Sequence, residues 1–214
     1  MSWLTQRPNT GDPTNFYTVG NNKNILIVGL GNPGKEYDLT RHNIGFLCLD
    51  EFVENTAEMQ PWIAKKDLKC QVSMGQLGEN RVIAIKPTTF MNLSGQAVQA
   101  VAHFYKINNQ QIVIVQDELD VEFGQIRMRM GGSSAGHNGI KSVSQIIGEN
   151  YNRIRIGIGP KSPAEMPSED FVLQQFNKDQ RQHLKNLTKE VTAILNEYIF
   201  GGELPHDTRK FIVS

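Results

Sequence analysis

Cysteine is scarce in this chain. Only Cys48 and Cys70 occur, which excludes a disulfide-stapled scaffold and a cysteine-based zinc spacing. One lies in a helical apolar pattern and the other in a strand pattern, so both read as small core residues. Long apolar runs are missing too, and no segment reads as membrane-spanning. The first residues lack the basic and apolar regions of a secretory signal, so a reduced, cytoplasmic protein is expected. An excess of either charge is also absent, with 22 basic residues against 22 acidic ones. A zero total removes a chain-wide basic surface but not a local patch. From Phe123 to Lys161 the chain holds Arg127, Arg129, Lys141, Arg153, Arg155 and Lys161 against Glu149 alone. Such clustering suits an anionic partner, and it equally suits a solvated face.

With 39% hydrophobic residues over 214 positions, the chain can bury one ordinary core. Residues 1–23 are rich in Asn, Thr, Gly and Pro and show no periodicity; they are expected to form a flexible extension, with the folded domain over 24–214. Asn24–Val28 is a short β-rich run and reads as a buried strand. A helix is expected over about 43–55. Leu68–Leu77 and Arg81–Lys86 read as a hairpin. After the loop PTTFMN, Ser94 can cap a helix carrying Val98, Val101, Ala102 and Tyr105 on one face. Gln111–Gln116 reads as a strand with Asp117 at its carboxyl end. Gln125–Met130 and Arg153–Gly159 alternate in strand fashion. A helix over about 139–147 lies between them, and 160–175 reads as a long loop. An amphipathic helix marked by Leu184 to Tyr198 ends at Gly201-Gly202. Strands interleaved with helices, plus a hairpin, imply an α/β fold: a single domain with a mixed, twisted central sheet flanked by helices.

Several patterns could carry chemistry. Gly29, Gly31 and Gly34 match G-x-G-x-x-G after a strand, but Pro33 and KEYDLTRHN stand where a dinucleotide fold would begin its helix. A tight turn accounts for these glycines. Gly132 to Gly136 matches G-x-S-x-G around Ser134, yet the later histidines, His183 and His206, lie on the terminal helix and in the tail. His42 and His137 sit in glycine-flanked loops, each followed by Asn. Asp117 could orient either imidazole and stabilise its cation, leaving the second ring nitrogen to activate water. Asp117, Glu118, Asp120 and Glu122 could instead hold a divalent ion, although no histidine cluster or phosphate loop accompanies them. Asn32, Asn92 and Asn138 end loops and could donate to a carbonyl or hold a water, with Phe90 and Met91 as an apolar wall. Arg127, Arg129 and Arg155 lie on alternating strands, where their forks would suit a phosphate or simply a wet sheet face.

Taken together and in order, GLGNPGKEYDLTRHNIG, KPTTFMNLSG, DELD and GHNGIKS closely resemble bacterial-type peptidyl-tRNA hydrolase. The resemblance spans roughly Asn24 to Gly201. It implies a single-domain α/β fold and hydrolysis of the ester between a peptide and the 3′ ribose of tRNA, recycling tRNA from abandoned translation. His42 matches the family's catalytic base and Asp117 the acid that orients it. Asn32, Met91, Asn92 and Asn138 match residues lining the crevice, and Tyr37 a position at the substrate end. Arg129 and Arg155 fall where the family holds the tRNA 5′-phosphate; Arg127 and His137 fall beside these sites. The implied partner is peptidyl-tRNA, through its acceptor stem and 3′ end, with no metal, cofactor or membrane, and the chain is expected to be a monomer. A catalytically silent RNA-binding relative and a Ser134 esterase are the alternatives.

Overall fold

The computed structural model describes residues 23–211. The expected extension over residues 1–23 therefore lies outside the described residues, apart from Lys23. The first strand, β1 (Asn24–Gly29), is apolar at every position from Ile25 to Val28 because both its faces are covered. Ile25 and Ile27 face one helical layer, and Leu26 and Val28 the other. On the first face lie α1 (Ile44–Glu54) and α5 (Lys178–Gly201); on the second lie α2 (Ser94–Phe104) and α3 (Asn138–Ile147). Fully burying each such aliphatic side chain contributes roughly 1.5–3 kcal/mol.

The remaining strands are β2 (Ile63–Lys65), β3 (Cys70–Leu77), β4 (Asn80–Pro87), β5 (Ile112–Glu122), β6 (Gln125–Met130), β7 (Asn152–Gly159) and β8 (Thr208–Lys210). They form one mixed sheet in the order β2-β3-β4-β1-β5-β7-β6-β8. The centre, β4-β1-β5-β7, is parallel, and both flanks are antiparallel. Parallel strands leave their carboxyl ends on one edge of the sheet, where polar loops can meet. Among the described residues no helix is long and apolar enough to cross a membrane.

Four expectations change. β5 continues five residues beyond Asp117 instead of stopping before it, with a register shift against β7 between Glu118 and Glu122. The buried acids are tolerated inside the strand because both have cationic or imidazole neighbours. Ser94 does not cap α2: a 3₁₀ turn, Met91–Leu93, leads in, Leu93 holds the cap position, and Ser94 is buried in the first turn. The segment 160–175 is not all loop, since it contains the short helix α4 (Ser168–Leu173). Arg153 does not share the exposure of its alternating neighbours; it is 1% exposed.

One close approach places the site. A Cβ on Gly45 would strike the Leu30 amide and the Val115 carbonyl, and a Cβ on Gly29 would strike the Gly45 carbonyl. Two glycines thus let α1 begin directly against β1 and β5. The 3₁₀ turn Arg41–Asn43, just before α1, is carried to the carboxyl end of β5 with it.

Candidate active site

His42 leads into α1, and Asp117 lies on β5; both are buried, at 7% and 2% exposure. His42 Nδ1 donates to both Asp117 oxygens, at 2.9 and 3.0 Å. His42 Nε2 makes no hydrogen bond to a described residue and is open to the cavity. Burial alone would push the imidazole down; the charge of Asp117 and its hydrogen bond outweigh that and raise it above the usual histidine value. Burial likewise pushes the Asp117 carboxyl up, but two imidazoles outweigh burial and hold it well below the usual carboxylate range.

The second imidazole belongs to His137, whose Nε2 lies 3.0 Å from Asp117 Oδ1. His137 is the N-cap of α3: its Nδ1 accepts from the Gly139 and Ile140 amides at 3.1 and 3.3 Å. Those donors assign the tautomer, with Nδ1 unprotonated and Nε2–H donating to Asp117. Asp117 therefore meets both histidines between which the sequence left the choice open. His42, Asp117 and His137 could be taken for a metal cluster, since their ligand atoms lie within 4.8 Å of one another. The residues do not fit that role. A metal needs the lone pair of His137 Nε2, and moving the proton to Nδ1 would set it against two backbone N–H groups.

Asn32 follows the β1 turn and is fixed on three sides. Its N–H donates to Asn43 Oδ1 at 2.8 Å, and its carbonyl accepts from Asn43 Nδ2 at 3.0 Å. Its Oδ1 accepts from the Met91 amide at 2.8 Å, which points the NH₂ away from protein partners. Asn32, His42, Met91, Asn92 and Asn138 line one cavity of about 450 Å³, with exposed Phe90 and Leu173 at its rim. A smaller hollow of about 130 Å³ beside it exposes His42, Asp117, Glu118 and His137 under α4. Arg41 holds α4 in place: its guanidinium lies 4.2 Å from the Phe171 ring and donates to the Phe171 carbonyl and to Gln180. Glu169 and Leu173 of α4 thereby become cavity walls.

The remaining expected residues lie apart. Tyr37 is half-buried on the turn Lys35–Tyr37 and lines neither cavity that contains His42. Arg129 and Arg155 stand on β6 and β7, where Arg127 pairs with Arg155 and Arg129 with Arg153 in register. Arg155 Nη1 is 3.6 Å and Arg153 Nη2 3.8 Å from Glu118 Oε2. Burial lowers both guanidinium groups, and Glu118 works against it. Arg153 also donates to Gln116 and to the Gly132 and Ser133 carbonyls, so it anchors the loop before His137. Ser134, in that loop, makes no side-chain hydrogen bond to an imidazole among the described residues, so a Ser134 nucleophile has no base beside it. Sequence reasoning missed the full part of His137, of Asn43 and of Arg41. A histidine directly before N-G-I-K at a helix start was the one available signal for His137.

Among the described residues no serine or cysteine hydrogen-bonds to His42, so fold and centre define an α/β protein with a buried, carboxylate-paired imidazole facing a cavity. Known proteins narrow this class. The family model for peptidyl-tRNA hydrolase matches residues 26–212. A peptidyl-tRNA hydrolase of Rickettsia bellii is 41% identical over 176 residues, 80% of this chain and 93% of that protein. One of Rickettsia prowazekii is 39% identical over 188 residues, 87% and 97% of the two chains. The crystal structure of peptidyl-tRNA hydrolase from Acinetobacter baumannii matches with a TM-score of 0.77 at 32% identity, covering 83% of this chain and 89% of that one. This chain belongs to the peptidyl-tRNA hydrolase family, a family of carboxylic ester hydrolases.

Proposed function

We propose that this chain cuts the ester between a peptide and the 3′ ribose of tRNA with a water activated by His42. The supporting observation is the pairing of His42 Nδ1 with the buried Asp117 carboxylate, which leaves Nε2 open to a cavity. His42 Nε2 takes a proton from the attacking water as the C–O bond begins to form. Asp117 stabilises the imidazolium, and the proton then passes to the departing ribose oxygen. An ester leaves more readily than an amide, so a held water and one base suffice for the chemistry.

Asn32 is the best-placed oxyanion donor, because its carbonyl is already fixed and its NH₂ is not; such a donor typically contributes ~10²–10³ in rate. Asn92 and Asn138 contact the peptide or hold the water, and Met91 closes the apolar wall. His137 is a positioning residue that holds Asp117. Arg129 and Arg155 take the phosphate end of the acceptor stem, adding affinity and salt dependence without reading bases. Tyr37 contacts the substrate end from outside the cavity.

The test is release of tRNA from purified peptidyl-tRNA. His42→Ala should lower single-turnover hydrolysis by about 10³-fold while retaining tRNA binding in a filter assay. Full activity in that variant refutes the assignment, and a wild-type chain that binds without cutting would identify the silent relative.

A further inference from the structure

Three asparagines line the cavity that holds His42, and they are held in different ways. Asn32 is fixed by hydrogen bonds to Asn43 and to the Met91 amide. Asn92 and Asn138 are exposed, and among the described residues neither side chain has a hydrogen-bond partner. Their placement therefore comes from main chain alone. Asn92 is placed by the 3₁₀ turn Met91–Leu93 that leads into α2, and Asn138 by the start of α3. Whatever joins α2 to α3 sets one asparagine against the other.

That joint is small and buried. Leu93 stands at the N-cap of α2 and has no polar side chain, so the amides of the first turn need acceptors from elsewhere. Ser142 of α3 supplies one: its Oγ accepts from the Gly95 amide at 3.1 Å. Ser142 is 6% exposed and Gly95 is buried, so without that oxygen the amide is left unpaired inside the protein. A Cβ on Gly95 would lie 2.3 Å from the Ser142 carbonyl oxygen, so the helices meet main chain to main chain here. Nearer the cavity, Met91 Sδ lies 2.5 Å from where a Cβ on Gly139 would be. The seam thus has two points, Gly95 on Ser142 and Met91 on Gly139. Asn92 and Asn138 are the chain neighbours of the second, and Asn138 lies one turn before Ser142 on the same face of α3. The segments KPTTFMNLSG and GHNGIKS end on Gly95 and Ser142.

We infer that Ser142 is a positioning residue for the hydrolysis. By capping α2 from a neighbouring helix, it fixes the turn Met91–Leu93 and holds Asn92 in place relative to Asn138. The inference rests on the proposed role of Asn92 in the cavity. Ser142 touches no substrate. Its loss acts by letting the start of α2 drift, and a misplacement of about 1 Å can cost up to ~10²-fold in rate.

The experiment is single-turnover hydrolysis of purified peptidyl-tRNA by the full chain and its variants. Ser142→Ala should lower the rate about tenfold, with binding of deacylated tRNA within about twofold of wild type. Ser144→Ala is the control. It removes a hydroxyl from the same helix, where Ser144 meets the Tyr151 hydroxyl at 2.8 Å, and should leave the rate within about twofold. In an Asn92→Ala background, Ser142→Ala should add less than about twofold, because it acts through a group already gone. An equal loss in both backgrounds, or an equal loss from Ser144→Ala, makes Ser142 a general support of α3 and overturns the inference. So does a Ser142→Ala chain as fast as wild type. Ser142→Cys keeps the shape and weakens the acceptor, so it serves where Ser142→Ala does not fold. It should be several-fold slower than wild type, and full activity in it overturns the inference too. A slow Ser142→Ala beside an Asn92→Ala at the wild-type rate marks failure of the underlying role of Asn92 instead.

Discussion

Asp117 and Glu118 are neighbours on one strand, both buried, and they are used in opposite ways. Asp117 accepts from two imidazoles at 2.9–3.0 Å. Glu118 faces two guanidinium groups at 3.6 and 3.8 Å, and Glu118 Oε2, Arg153 Nη2 and Arg155 Nε are buried without a hydrogen-bond partner. The first arrangement is closed: each donor is spent, and the one open atom is His42 Nε2. The second has donor capacity left over, and buried unpaired donors are costly unless something comes to them. A centre that must hold one geometry through a reaction gains from being saturated. The proposed phosphate role of Arg155 suits a cluster that stays under-partnered when no phosphate is bound.

That contrast can be broken from its rigid side first. Asp117→Asn keeps shape but replaces a double acceptor with a carboxamide that cannot stabilise an imidazolium. It should lower kcat by about 10³-fold with little change in KM, read by steady-state kinetics on peptidyl-tRNA. An equal loss spread into KM would show that Asp117 shapes binding instead. On the loose side, Arg155→Ala should raise KM by about tenfold, leave kcat near wild type and reduce the slope of log K against log salt by about one. A kcat defect there would tie the arginines to chemistry and erase the distinction.

The smallest effect sharpens the comparison. His42 works as a base only when neutral, and its folded-state value is raised, so kcat/KM should fall as pH drops through a limb above the usual histidine value. His137→Asn keeps a strong N-cap for α3 but withdraws one donor from Asp117. The freed carboxylate then attracts the His42 proton more strongly, and the limb should move to higher pH with only a few-fold change in the plateau. The other acids near His42, Glu118 and Glu169, are unchanged in that variant. A limb that stays put in the pH–rate profile would reduce His137 to a helix cap.

Much of this was legible beforehand. β1, the hairpin, α2 and α5 announce themselves by period, because two faces or one stripe of each is apolar. Asp117 was found as a residue but taken to end its strand, since D-E-L-D interrupts an apolar run; pairing inside the fold, invisible along the chain, lets the strand continue. β2 and β8 are three residues each and largely exposed, so no alternation could reveal them. α4 is six residues held by Arg41 across more than a hundred positions, a contact that no local pattern encodes. Arg153 looked like part of a wet face because alternation gives a side but not a depth.

The pair Gly29 and Gly45 sets a tolerance for the whole mechanism. The gap between the base and its acid is gauged by main chain resting on main chain, with no side chain in between to absorb an error. A single methyl at either position acts as a wedge that tilts the start of α1 and carries residue 42 away with every reactive group still present. Because about 1 Å of misplacement can cost ~10²-fold in rate, the enzyme's weakest points are two residues that never meet the substrate.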